Sequence, residues 1–326
     1  MSDTPAVRSW SFVPLDAAMT MESCEIMYTK ILVPLDGSAV SEQVLPYVRT
    51  LAGGLKVPIE LVGVVDMEEL ASYASAEKGR YVEPMIEDSL RRSAEYLKGV
   101  AQTFPYPHVS FSVGKGRAAE VIIAKAVAEK KTLIIMATHG RSGFNRWLLG
   151  SVAEKVLRGS ANPMLMVRAK AEAKAEGAAP LKSILVPLDG SNLAESVLPA
   201  ALEIAQKLNI EIVLFRAFNV PYTVFGAVRD HLPIVDELLG GIKVEAREYL
   251  ERKAEELKKQ GAKKVSYVLG QGASADQIIS MGRKTPDNLI AMCTHGWSGV
   301  KGWALGNITE TVVRHSGDPV LIIRAP

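Results

Sequence analysis

The strongest constraint in this sequence is an internal duplication. Residues 31–38 read ILVPLDGS, and residues 184–191 read ILVPLDGS again, identical at all eight positions. The agreement continues through Glu42, Val44, Leu45 and Pro46, which match Glu195, Val197, Leu198 and Pro199. Further on, residues 137–151 (ATHGRSGFNRWLLGS) and 293–307 (CTHGWSGVKGWALGN) agree at eight of fifteen positions. Asp36 and Asp189 are 153 positions apart, whereas Gly140 and Gly296, and again Gly150 and Gly306, are 156 apart. The second copy therefore carries a net three-residue insertion in its first half. Solenoid units run about 20–50 residues, so a period this long means a duplicated domain.

The copies define the expected domain plan: 27–168, a linker at 169–181, and 182–326. The linker contains AKAEAKAEGAAP, an Ala/Lys/Glu stretch that can start as helix and is broken by Gly177 and Pro180. Residues 1–26 match nothing in the second copy; with Met27 standing directly before the first strand, they are read as a poorly ordered tail.

Within each copy, short apolar runs alternate with longer amphipathic stretches. Strands are predicted at Lys30–Pro34, Ile59–Val65, His108–Val113, Thr132–Ala137 and Met164–Val167. The second set is Ser183–Pro187, Glu211–Ala217, Lys264–Leu269, Asn288–Cys293 and Val320–Ile323. Helices are predicted at Ser41–Leu55, Pro84–Phe104, Ala118–Lys130 and Ser151–Ser160, then at Ala194–Leu208, Leu238–Gln260, Ala275–Lys284 and Asn307–Ser316. Near-continuous apolar strands alternating with helices imply α/β architecture: two tandem five-stranded parallel-sheet domains with helices on both faces. Such sheets bind ligands beyond the carboxyl ends of their strands, where the strand order reverses.

Composition narrows the function classes. A net charge of +2 on 326 residues indicates neither a nucleic-acid binder nor an acidic tail. No apolar run reaches the roughly 18 residues of a membrane helix, and the first twenty residues lack a signal-peptide pattern. Two cysteines, Cys24 and Cys293, suggest neither a disulfide framework nor a zinc site, so a reduced cytoplasmic protein is expected.

Two motifs carry chemistry. Pro34-Leu35-Asp36-Gly37-Ser38 ends the first strand. An acid there can accept hydrogen bonds from a ribose hydroxyl or hold a metal on phosphates; equally, it can brace the following helix. Asp189 has the same two readings. The second motif is the loop after strand four, Thr138, His139, Gly140, Arg141, Ser142, Gly143, closing on Gly150 and Ser151. Its glycines allow backbone amides close to an anion, and the helix start behind them is a phosphate site. Ser151-Val152-Ala153-Glu154 reads as a capping box, and Asn307-Ile308-Thr309-Glu310 can cap the matching helix. The plain alternative is a well-capped connection. In the second copy Trp297 replaces Arg141 and Gly302 replaces Arg146, which weakens the anion signal there. His139 and His295 read as polar turn residues, Trp147 and Trp303 as packing. Gly114-Lys115-Gly116-Arg117-Ala118 reads as the turn into the third helix, with Lys115 and Arg117 as solvated charge.

Taken together these residues resemble the universal stress protein family, over roughly 27–168 and 182–326. The family's spacing is Gly, two residues, Gly, nine residues, then Gly-Ser or Gly-Thr. Here the first glycine is Ala137, the second is Gly140, and Gly150-Ser151 follows after nine residues. The second copy departs at both ends, with Cys293, Gly296 and Gly306-Asn307. The resemblance implies a Rossmann-like fold of the adenine nucleotide alpha hydrolase type and binding of ATP, with Mg2+ as an accompanying ion. It places Pro34, Asp36 and Val64 on the adenosine side, and Met136, Ala137, His139, Gly140, Gly150, Ser151 and Val152 around ribose and phosphates. The matched second set is Pro187, Asp189, Ala217, Met292, Cys293, His295, Gly296, Gly306, Asn307 and Ile308. It also implies an internal pseudo-dimer through the last strands, 163–168 and 319–324, a homodimer beyond that, and a stress-response role without strong catalysis. A weak ATPase and a nucleotide-free scaffold are the competing readings. Against the first, no GxxxxGK[ST] loop and no Ser-Gly-Gly-x-Asp-Ser loop occurs, and no nucleophile–base pair is readable.

Overall fold

Strands covered on both faces need apolar side chains at nearly every position, and the runs in this chain supply them. In the computed structural model, which describes residues 28–67, 82–129, 131–138, 149–169, 175–219, 232–294 and 306–324, those runs are the strands. The first copy contains β1 (Lys30–Pro34), α1 (Ala39–Glu42), α2 (Leu45–Leu55), β2 (Ile59–Asp66), α3 (Val82–Gln102), β3 (Val109–Gly116), α4 (Ala118–Val127), β4 (Thr132–Ala137), α5 (Ser151–Gly159) and β5 (Met164–Val167). The second contains β6 (Ser183–Pro187), α6 (Asn192–Glu195), α7 (Leu198–Leu208), β7 (Glu211–Phe218), α8 (Leu232–Lys259), β8 (Val265–Gln271), α9 (Ser274–Lys284), β9 (Asn288–Cys293), α10 (Asn307–His315) and β10 (Val320–Ile323).

The ten strands form one sheet in the order β3-β2-β1-β4-β5-β10-β9-β6-β7-β8. Each half is parallel throughout, and the halves meet where β10 pairs antiparallel with β5, Leu321 opposite Leu165. Alternate side chains feed two cores. Ile31 and Val33 face a cluster with Leu51, Leu97, Ile204 and Leu250 from α2, α3, α7 and α8. Leu32 faces the other, with Ile122, Val156, Ile278 and Val312 from α4, α5, α9 and α10. Both clusters run through the seam without interruption.

The seam follows from the sequence. β5 (MLMV) and β10 (VLII) carry only apolar side chains, all buried. Burying one such side chain is worth about 1.5–3 kcal/mol, and an unpaired apolar edge invites a partner strand. Helix α2 packs against α7 over the joint, with Gly54 meeting the Leu208 side chain where any added Cβ would collide. Matched arginines cross in both directions. Arg168 Nη1 donates to the carbonyls of Arg314 (2.9 Å) and Ser316 (3.4 Å), and Arg324 Nη2 to that of Arg158 (3.1 Å). The first residue beyond each copy's final strand thus satisfies carbonyls at the end of the other copy's last helix. The internal pseudo-dimer expected from the edge strands is this pairing.

The structure corrects the helix boundaries. The single first helix expected in each copy is two, broken between Glu42 and Leu45 and between Glu195 and Leu198. Pro46 and Pro199 lie in the first turn of the second segment, and proline has no amide to donate to the carbonyl four residues back. Helix α8 begins at Leu232, six residues earlier than expected. The linker's last part, 175–181, is docked against α2. Arg49 Nη1 donates to the carbonyls of Ala175 (2.6 Å) and Gly177 (2.9 Å), and Thr50 Oγ1 to that of Ala179 (2.8 Å). The expected tail, 1–26, lies outside the described residues. Among the described residues, no helix is long and apolar enough to cross a membrane.

Candidate functional site

The strand order sets the site's location. From β1 the chain steps to β2 on one side, while β4 lies on the other, so the order reverses between β1 and β4. The reversal opens a crevice beyond their carboxyl ends. In the second copy the same reversal falls between β6 and β9.

Asp36 stands at the mouth of the first crevice, and its carboxylate is engaged locally. Oδ1 accepts from the Ser38 amide (2.9 Å) and the Ser38 hydroxyl (2.6 Å), closing a turn in which Gly37 has φ +78. Ser38 in turn caps α1 by accepting from the Ser41 amide (3.1 Å). The bracing reading of Asp36 is therefore realised. Behind the turn, Tyr96 Oη donates to Glu42 Oε1 (2.8 Å), and burial followed by the neighbouring Glu42 charge pushes the phenol's pKa upward.

Pro34 ends β1, and Val64 lies in β2 packed against the α4–α5 core. Met136 and Ala137, both buried, end β4. The far end of the following loop is stitched back to that strand, because the Gly150 amide donates to the Thr138 carbonyl (2.7 Å). Helix α5 thus starts beside the strand end, with Ser151 and Val152 in its first turn. The capping box is not formed. Gly150, without a side chain, is the N-cap residue (φ −60, ψ 146); Ser151 is already helical and exposed, and Glu154 turns to Arg158 (3.1 Å). A helix whose first amides lack a side-chain acceptor keeps them for solvent or an anion. His139 and Gly140 lie outside the described residues, as do His295 and Gly296.

The second copy repeats the turn. Asp189 Oδ1 accepts from the amide (2.9 Å) and hydroxyl (2.6 Å) of Ser191. Pro187 ends β6, Ala217 takes Val64's place on β7, and Met292 and Cys293 end β9. The Gly306 amide donates to the Thr294 carbonyl (2.7 Å), and Gly306 again precedes the helix without a capping side chain, so Asn307 does not cap α10. Asn307 and Ile308 are exposed. Cys293 lies 2.7 Å from Ser196 Oγ, and burial pushes its thiol pKa up.

Two features escaped the sequence reading. Residue 63 is glycine, tight against Ser93 and Leu97, whereas its counterpart in the second copy is Arg216. The aligned strands carry that signal, at the same offset of 153 as the aspartates. The second is an ion cluster at the amino end of the first sheet: Glu60 binds Lys125 (2.8 Å) and Lys30 (3.1 Å), and Lys30 also binds Glu129 (2.9 Å). Burial would raise the Glu60 pKa, but the two lysines and Ser112 outweigh it and hold the carboxyl below its usual range. Lys115 and Arg117 are exposed, Arg117 paired with Glu120 (3.3 Å), and Gly116 (φ +138) turns the chain toward α4. Among the described residues no group of three His, Cys, Asp or Glu side chains could hold a metal.

Fold and crevice together define a class: tandem doubly wound α/β domains, each with an aspartate just beyond its first strand and a last helix that starts without a side-chain cap. The chain belongs to the universal stress protein family, whose sequence profile matches residues 27–168 and again 180–324. A universal stress protein of Methanocaldococcus jannaschii is 27% identical over 144 residues, covering 44% of this chain and 84% of its own length. One from Mycobacterium tuberculosis is 22% identical over 306 residues, covering 90% of this chain and 96% of its own. Among solved structures, a universal stress protein from Archaeoglobus fulgidus superimposes with a TM-score of 0.61 at 23% identity, over 91% of this chain and 98% of that one, a likeness of fold.

Proposed function

We propose that the first domain binds an adenine nucleotide, ATP foremost, and that the chain is a nucleotide-responsive stress module rather than a catalyst. The observation that carries this reading is the uncapped start of α5 beside the carboxyl end of β4, stitched there by the Gly150–Thr138 hydrogen bond. Anions at a helix start gain about 0.3–1 kcal/mol from the helix dipole, and up to roughly 2 where partly buried. Amides of Ser151 and Val152 would take the phosphates, with His139 and Gly140 contributed by the adjoining loop. Pro34, Asp36 and Val64 would border the adenosine, with Met136 and Ala137 flooring the crevice. A magnesium ion would accompany the phosphates. Nucleotide would act by favouring one conformation of the chain over another, which requires different affinities for the two.

Hydrogen exchange of the full chain with and without ATP tests this. ATP should slow exchange in the first turn of α5 and in residues 34–38. Gly150→Arg, which puts a long side chain where the phosphates would lie, should remove that protection while leaving the ligand-free unfolding temperature within a few degrees. Unchanged exchange in α5 at saturating ATP would overturn the assignment.

A further inference from the structure

We infer that Tyr96 is a positioning residue for the first crevice, its phenol holding α1, and with α1 the Asp36 turn, against the end of β4; for its ligand this rests on the first-domain reading. The need for such a tie follows from α1 itself. It is four residues long, Ala39–Glu42, and separate from α2. One turn of helix does not hold its own place, because it fixes several residues for a single internal hydrogen bond. Yet α1 lies against β4, beside the point where the strand order reverses. Any drift of α1 moves that side of the crevice.

The tie comes from α3, which is 21 residues long and packs on β2 and β3. Tyr96 Oη donates to Glu42 Oε1 (2.8 Å) at the end of α1, with the Ser41 side chain beside the phenol. A hydrogen bond to a carboxylate is among the stronger kinds. Ser41 is buried, and its Oγ donates to the Ser38 carbonyl (2.9 Å) and accepts from the Asp36 amide (3.4 Å). Consecutive residues thus link α3 on one side to the backbone of the Asp36 turn on the other. A turn fixed before the ligand arrives lowers the ordering cost of binding.

The second copy repeats the pair and alters its support. Tyr249 and Glu195 stand at the same offset of 153, and Tyr249 Oη donates to Glu195 Oε1 at the same 2.8 Å. Ala194 replaces Ser41, so the hydroxyl link to the turn is gone. Lys253 replaces Val100 and pairs with Glu195 (2.9 Å), a contact that the apolar Val100 cannot give Glu42. Glu42 is therefore held by a phenol where Glu195 is held by a phenol and an ammonium. Loss of the phenol should loosen the first turn more than the second.

Residue-resolved hydrogen exchange of the ligand-free full chain tests the tie directly. In Tyr96→Phe the Ser38 and Ser41 amides, which donate to Asp36 Oδ1 and Ser38 Oγ, should exchange at least about fivefold faster, with the interior of α3 unchanged. Tyr249→Phe should quicken the matched Ser191 and Ala194 amides by less, since Lys253 still holds Glu195. Glu42→Gln keeps an acceptor for the phenol and should stay near the natural rates, whereas Glu42→Ala should match Tyr96→Phe. In calorimetric titration Tyr96→Phe should weaken ATP at least about threefold and Glu42→Gln should not. Natural rates at Ser38 and Ser41 in Tyr96→Phe overturn the positioning role. So does acceleration spread evenly through α3, which marks a packing role alone, and so does a loosened turn with ATP affinity unaltered. Equal loosening by Tyr249→Phe in its own turn overturns the contrast between the copies. Should the natural chain show no ATP-dependent protection of α5, the nucleotide reading fails by itself, and the ligand-free rates still decide whether Tyr96 sets the turn.

Discussion

Replacing Leu165 by Ala tests whether the two domains unfold as one body. Leu165 is fully buried in β5, opposite Leu321 across the seam, in the core that runs through both copies. Truncating a buried leucine to alanine costs about 2–5 kcal/mol, with the upper end where the surroundings cannot collapse. Strands on both sides of Leu165 are fixed by their own hydrogen bonds, so the upper half of that range is expected. For a cooperative body of roughly 300 residues, an unfolding entropy near 2.1 cal/mol/K per residue converts this to a fall of about 6–8 °C. Differential scanning calorimetry should show one transition moving as a whole. The Leu165→Ala, Leu321→Ala pair should also be non-additive, since the two face each other. Two resolved transitions, with the later one unmoved by Leu165→Ala, would refute the continuous-core argument.

Two other outcomes follow from charged and nucleophilic groups. Glu60 has a folded-state pKa below its unfolded one, so its stabilisation is complete above the ordinary carboxyl range and is lost as pH falls through the depressed value. Glu60→Gln should therefore flatten the loss of stability below about pH 4.5 in urea titrations; an acid limb identical to that of the natural chain would rule the cluster out. Cys293 is buried with a raised pKa, so alkylation at pH 8 should be slow in the folded chain and fast in denaturant, read by mass spectrometry of its peptide. Fast labelling without denaturant would contradict that burial.

Much of the fold was legible because strand signals are local. Lys30–Pro34, Thr132–Ala137 and Met164–Val167 begin and end in the structure where their apolar runs do. The seam was legible too, since MLMV and VLII make no sense as solvent-facing edges. Helix starts were harder. Ser151 and Glu154 have the right types and spacing for a capping box, but the strand-to-helix stitch places the chain's turn at Gly150, one residue early. Pro46 was visible, yet whether a proline opens a new segment or sits in the first turn of a longer helix depends on the packing around it. Arg216 was missed for a different reason. Attention to the shared motif favours residues that repeat, and the informative position was one where glycine and arginine alternate between copies.

The antiparallel joint has a geometric consequence for the molecule's two mouths. Each half-sheet is parallel, and the halves run in opposite senses, so the carboxyl ends of β1 and β6 lie on opposite rims. Along the sheet those strands are five steps apart, about 24 Å at the usual strand spacing. Occupants of the two crevices can therefore never touch. Anything one reports to the other must travel through the shared slab of aliphatic side chains, or through a partner broad enough to grip both rims.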